Sequence, residues 1–169
     1  MYGASKLAGD EAVRQLWPRH LILRVSWVFG IHGHNFVRTI LRLAREREEL
    51  RVVADQRGCP TYAGDIADTL LALAARTAEL DANAAWGTYH YRGEPPTTWH
   101  GFASAIVELA RSREPLKVRT VTAITTADYP TPAARPVNSV LDCAKLAARF
   151  DIHPRPWQTG LETMLSTEY

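Results

Sequence analysis

The run LILRVSWVF, Leu21 to Phe29, constrains the fold of this chain more than any other stretch. It is rich in β-branched and aromatic residues and lacks the apolar–polar alternation of a half-exposed strand. That is the pattern of a strand covered on both faces in a parallel sheet. Parallel strands need crossover connections, normally helices, and the flanking sequence supplies them. Tyr2 to Trp17 reads as a helix stopped by Pro18. After the strand, NFVRTILRLAREREEL sets Phe36, Val37, Ile40, Leu41 and Ala44 at the helical period, with Arg38, Arg42 and Arg45 on the outer face.

The alternation continues with a strand at Leu50 to Asp55 and a helix from Gly64 or Asp65 to about Glu79. A strand at Gly87 to Gly93 precedes a threonine-capped helix in TTWHGFASAIVELARS. KVRTVTAIT reads as a strand and YPTPAARP as a proline-punctuated loop, and DCAKLAARF and WQTGLETML are short closing helices. No linker divides residues 1–169, so the expectation is one α/β domain or part of one.

Composition narrows the function classes. The formal charge of +2 is interleaved, as in RLAREREELR, which describes a solvated face rather than a nucleic-acid footprint. No apolar run approaches the ~20 residues that span a bilayer, and there is no basic segment followed by an apolar core at the start. Cys59 and Cys143 form no CxxC motif. The expectation is a cytoplasmic protein with reduced thiols, binding neither nucleic acid nor membrane.

A doubly wound nucleotide-binding fold normally opens with a strand, a glycine-rich turn and a helix. Here the nearest candidate, GIHGHNF, has two glycines rather than three. What the sequence does offer is Tyr2 and Lys6, spaced to share one helix face. Reduction of a ketone by hydride needs a proton delivered to the developing alkoxide. A phenol titrating near ~10 is a better donor and acceptor beside an ammonium, which favours the phenolate by Coulomb attraction.

YGASKLAGDE, then LRVSWVFG and HGHNFV, resemble the extended, nucleotide-sugar-modifying branch of the short-chain dehydrogenase/reductase superfamily. LRVVADQRGCPTYAGDIA, GTYHYRG, TTWHGFASAIVELA and YPTPAARPVNSVLD look like its dTDP-4-dehydrorhamnose reductase family, and the likeness covers essentially the whole chain. The resemblance implies a Rossmann-like fold represented by its C-terminal portion, without the glycine-rich cofactor half. It implies reduction of dTDP-4-dehydro-L-rhamnose with NADPH in the complete enzyme. Tyr2 would then be the proton donor, and Lys6 would tune it and anchor the nicotinamide ribose. The Ser or Thr that polarises the ketone in that family would lie upstream, so these residues alone are expected to be inactive. A non-catalytic dTDP-sugar-binding or regulatory subunit is the alternative.

The same resemblance sets Trp27 against the nucleotide-sugar and takes the DQRGCPT turn past the base, which makes Gln56 and Arg57 candidates. Asn35, a candidate helix N-cap, together with Arg135 and Asn138 of AARPVNS, suits a diphosphate. His32 and His34 form an H-x-H pair without an obvious third ligand, and no metal site is assigned. Glu162 and Glu168 could join a dimer-linked Mg2+ site of the sort some relatives show, though their spacing does not demand it. The expected ligand is a dTDP-linked 6-deoxy-4-ketosugar. A homodimer, or an N-terminal half on another chain, is compatible with the sequence.

Overall fold

Strand β1 (Leu21–Val25) and strand β2 (Val28–Phe29) divide the apolar run that was expected to be continuous. The break is Trp27, whose φ of 48° lies in the left-handed region that an aromatic residue rarely adopts. The run is also less covered than its composition implies: β1 is half-buried and Arg24 is exposed, held by two hydrogen bonds to Asp10 of 2.9 and 2.6 Å. These and all further details come from a computed structural model that describes residues 2–78 and 86–168, without the side chains of Tyr2, Ala78 and Glu168.

Helix α1 (Tyr2–Leu16) precedes β1, and α2 (Phe36–Glu46) follows β2. Then come β3 (Glu49–Val53), β4 (Arg57–Gly58), β5 (Thr61–Tyr62), α3 (Ala63–Ala78), β6 (Gly87–Tyr91), β7 (Thr97–Thr98) and α4 (Trp99–Arg111). The chain closes with β8 (Thr120–Ile124), a 3-10 turn (Thr126–Asp128), α5 (Ala144–Phe150) and α6 (Trp157–Glu168). Strand pairs β1–β6, β2–β5 and β3–β8 are parallel, as the helical crossovers require, and the short β4–β7 pair is antiparallel.

Two helix starts follow from their sequence. Asn35 caps α2, its Oδ1 accepting from the Arg38 N–H at 3.3 Å, and Thr98 caps α4, its hydroxyl oxygen accepting from the Gly101 N–H at 3.0 Å. The stripe of α2 packs Val37, Ile40, Leu41 and Ala44 against Leu50 and Val52 of β3 and Phe102, Ile106 and Ala110 of α4. Leu161, Met164 and Leu165 of α6 belong to the same core. Each large side chain buried there contributes about 1.5–3 kcal/mol of transfer free energy. A smaller core joins Tyr89 and Tyr91 of β6 with Leu73, Leu146 and Phe150.

Beside the smaller core, apolar surface remains uncovered. Leu16 and Trp17 are 80% and 63% exposed, Leu7 and Val13 of α1 are also exposed, and β1 pairs only with β6 among the described residues.

Candidate active site

The chain leaves β3 through Ala54, whose N–H donates to the Ile124 carbonyl at 2.8 Å, and so carries Asp55 and Gln56 alongside the end of β8. The Gln56 side chain is buried, and its Nε2 donates to the Thr126 hydroxyl oxygen at 3.0 Å. That hydroxyl donates to Asp55 Oδ1 at 2.6 Å, and the Thr126 N–H donates to both Asp55 oxygens, at 3.0 and 2.9 Å. The hydroxyl of Thr126, and after it the backbone N–H, hold the Asp55 carboxyl below its ordinary value of 3.8. Asp128 is lowered in the same way by the N–H and hydroxyl of Thr125.

Gln56 opens onto a cleft of about 300 Å³. Phe36 and Ile40 of α2 and Val52 of β3 supply apolar walls, Trp99 a ring, and Tyr129 and Arg135 the outer loop. That loop is fixed on β4: the Arg57 N–H donates to the Val137 carbonyl at 2.7 Å, and the Ser139 N–H donates back to the Arg57 carbonyl at 2.8 Å. Arg135 is therefore held beside the cleft by backbone pairing two residues away. Asn138 lies in the same pairing, opposite Arg57, and its Oδ1 accepts from the Val140 N–H at 3.1 Å.

Trp27 reaches this site indirectly. Its ring stacks on Trp99 with centroids 3.6 Å apart and planes 11° off parallel, so one face is taken by another indole. Gly58 packs against the same ring so closely that a Cβ there would fall 2.3 Å from Trp27 Cε2. Phe36 and Phe102 extend the aromatic cluster, with Phe36 4.7 Å from Trp99.

The other expected residues lie in neighbouring clefts. Lys6 lines a cleft of about 640 Å³ between α1 and β1, together with Leu7, Asp10, Val25 and Leu141. Helical backbone puts positions 2 and 6 on one face of α1, while the side chain of Tyr2 lies outside the described residues. Asn35 lines a third cleft, of about 550 Å³, with His32, His34, Tyr62 and Gly64. Both ends of its amide are used internally, since Nδ2 donates to the Gly30 carbonyl at 2.8 Å.

The arrangement thus joins Gln56 and Arg135 directly, adds Trp27 through Trp99, and keeps Lys6 and Asn35 apart. Trp99, Tyr129 and Thr126 were not singled out as site residues from the sequence. Trp99 reads there as the first residue of a threonine-capped helix and Tyr129 as the start of a proline-punctuated loop, and nothing links Thr126 to Asp55 across 71 positions.

A nicotinamide dinucleotide fits the Lys6 cleft only in part. An ammonium at an open cleft beside a parallel strand suits the hydroxyls of a ribose, whereas the sequence has no glycine-rich turn for the pyrophosphate. Among the described residues no group of three His, Cys, Asp or Glu side chains is placed to hold a metal ion, so a Mg2+ site gains no support; Glu168 lies outside the described side chains.

Residues 1–169 match the family described as RmlD substrate binding domain. The dTDP-4-dehydrorhamnose reductase of Aggregatibacter actinomycetemcomitans is 47% identical over 165 residues, which is 97% of this chain and 56% of that protein. The enzyme of that name from Escherichia coli K12 is 43% identical over 167 residues, 98% and 55%. A crystal structure of dTDP-4-dehydrorhamnose reductase from Bacillus anthracis in complex with NADP superposes with a TM-score of 0.85 at 36% identity, covering 98% of this chain and 55% of that one. UDP-N-acetylglucosamine 4-epimerase from Bacillus cereus, at 17% identity and a TM-score of 0.70, shares the fold. The chain spans about half the length of the curated relatives it matches.

Proposed function

Because the chain belongs to the RmlD substrate binding domain family, we propose that it is the nucleotide-sugar-binding and proton-donating part of a dTDP-4-dehydrorhamnose reductase. Such an enzyme reduces dTDP-4-dehydro-L-rhamnose to dTDP-L-rhamnose with NADPH. The observation that carries this reading is the cleft at Gln56. It combines an apolar floor, an aromatic wall, a buried amide and a guanidinium, which are the parts needed for a base attached to a diphosphate. In this reading residues 1–169 act as one unit in the cytoplasm; no helix among the described residues is long and apolar enough to cross a membrane.

The base lies against Trp99 and Gln56, and Trp27 acts by holding Trp99 in place. Arg135 offers its planar fork to the diphosphate, with Asn138 beside it in the loop and Asn35 at the start of the helix that lends Phe36 to the same cleft. The sugar extends toward the C-terminal end of β1, where Val25 shares the Lys6 cleft. NADPH, when bound, supplies the hydride. Tyr2 gives the C4 oxygen its proton, and the Lys6 ammonium favours the phenolate left behind and donates to a ribose hydroxyl.

Without a glycine-rich turn, these 169 residues by themselves bind a dTDP-sugar and do not oxidise NADPH. Calorimetry with dTDP-rhamnose, and an NADPH-consumption assay with the 4-keto sugar, test both statements. Binding without turnover supports them; turnover by the chain alone contradicts the second, and the absence of dTDP-rhamnose binding contradicts the first.

The exposed apolar side chains around α1 and the edge of β1 that is unpaired among the described residues favour one addition, a covering segment of the kind the longer relatives have room for, in the same or another polypeptide. Left uncovered, that surface makes the chain self-associate, which light scattering detects. Turnover restored by adding the remaining segment of a relative would favour the enzyme over a purely sugar-binding subunit.

A further inference from the structure

Gln56 is, among the described residues, the one side-chain amide buried in the cleft, and which of its two ends faces a ligand decides what that ligand must offer. An amide's oxygen and nitrogen are told apart by their partners, and here the partners leave one assignment. While ionised, as a carboxyl held below its ordinary 3.8 is at neutral pH, Asp55 can only accept. The Thr126 hydroxyl has a single proton, which it gives to Asp55 Oδ1 at 2.6 Å. Toward Gln56 the same hydroxyl can only accept, so the group 3.0 Å away must be the NH2.

Thr126 cannot turn to escape this. Its N–H is also bonded to both Asp55 oxygens, and the turn it opens is tied at Thr125 by Asp128. The Gln56 carbonyl oxygen is thereby directed away from Thr126. Among the described residues it has no hydrogen-bond partner, and it is not a fully buried orphan either, so it is open to the cleft that Gln56 lines.

Resting on the proposed nucleotide reading of this cleft, we propose that Asp55 and Thr126 are positioning residues that fix the Gln56 amide with its oxygen toward the base, where it accepts the ring N–H of a keto-pyrimidine. Thymine and uracil carry that proton on N3. Cytosine carries a lone pair there, and two acceptors facing each other leave both unsatisfied.

The experiment is calorimetric titration of the full chain with dTDP, UDP and dCDP, in the wild type and in Thr126→Val, Thr126→Ser and Asp55→Asn. The wild type is expected to prefer dTDP and UDP over dCDP by about 10–100-fold, the size of one hydrogen bond exchanged for an unsatisfied pair. Thr126→Val frees the amide to turn, and the preference falls toward unity; Thr126→Ser restores it. In Asp55→Asn the new amide meets the Thr126 hydroxyl with either its oxygen or its NH2, so the Thr126 proton is no longer committed to residue 55 and the preference for dTDP and UDP falls. A variant that only loosens the fold lowers all three affinities together and leaves their ratio unchanged.

Equal binding of dTDP and dCDP by the wild type, or an unchanged ratio in Thr126→Val and Asp55→Asn, overturns the positioning role while leaving the nucleotide cleft intact. Failure of the wild type to bind any of the three overturns the nucleotide reading, and the positioning role with it.

Discussion

Replacing Gly58 with alanine perturbs the aromatic support of the proposed base site with one methyl group. The added Cβ would sit 2.3 and 2.5 Å from Trp27 Cε2 and Cζ2 and 2.7 Å from Ser139 Oγ, all inside van der Waals contact. Trp27 cannot yield easily, because its ring stacks on Trp99 at 3.6 Å and its backbone is held at a φ of 48°. Overpacking of this kind costs about 1–3 kcal/mol. A displaced indole also forfeits a stacking term of about 0.5–1.5 kcal/mol, so Gly58→Ala is expected to destabilise by about 2–4 kcal/mol.

Urea unfolding followed by far-UV circular dichroism measures the loss as a lower midpoint with an unchanged slope. In a Trp27→Gly background, where glycine suits the left-handed backbone and the ring is gone, the cost of Gly58→Ala should fall below about 1 kcal/mol, the remainder coming from Ser139. A Gly58→Ala variant as stable as the wild type, or a cost that survives removal of Trp27, would refute this account of the stack.

Cys59 and Cys143 are buried, and burial pushes both thiols above the usual 9.0. Both should resist a thiol-specific disulfide reagent in the native chain and react fully in denaturant; rapid reaction without denaturant would contradict their placement. Asp55 and Asp128 have folded-state pKa values below the 3.8 of the unfolded chain. The stability they contribute is complete above that value and is lost as pH falls through the lower folded values. Acid titration of the unfolding midpoint should therefore show a strongly acidic limb that flattens in Asp55→Asn, and an identical limb in the variant would speak against the Asp55–Thr126 contacts. Lys6→Met should leave dTDP affinity unchanged, because Lys6 lines a cleft separate from Gln56; a large loss would require the two clefts to be one site.

Much of the scaffold is legible from local rules. The α2 stripe, the Asn35 and Thr98 caps and the helix stop near Pro18 each depend on residues within one or two turns. The break in the apolar run is not legible, since a tryptophan in the left-handed region is stabilised by partners 31 and 72 positions away, Gly58 and Trp99. The exposure of β1 and α1 escaped for a similar reason: an apolar pattern reports what a segment can bury, and covering it needs a neighbour.

The candidate site divides along the same line. Gln56 could be named because the family resemblance takes the turn after β3 past the base, and Arg135 because a guanidinium in a proline-punctuated loop suits a diphosphate. Their meeting depends on the pairing of the Arg57 backbone with Val137 and Ser139, which the proline-rich stretch does not announce. Trp99 was hidden by its place at a helix start, where an aromatic residue ordinarily reads as packing.

The central claim is that the Gln56, Trp99 and Arg135 cleft holds the nucleotide of a dTDP-sugar. Its most direct measurement is nuclear magnetic resonance titration of the chain with dTDP-rhamnose, following the side-chain signals of these three residues and of Trp27. The account predicts saturable shifts at the Gln56 amide, both indole N–H groups and the Arg135 guanidinium. Shifts confined to the His32 and His34 cleft, or no shifts at ligand concentrations that saturate binding by calorimetry, would contradict it.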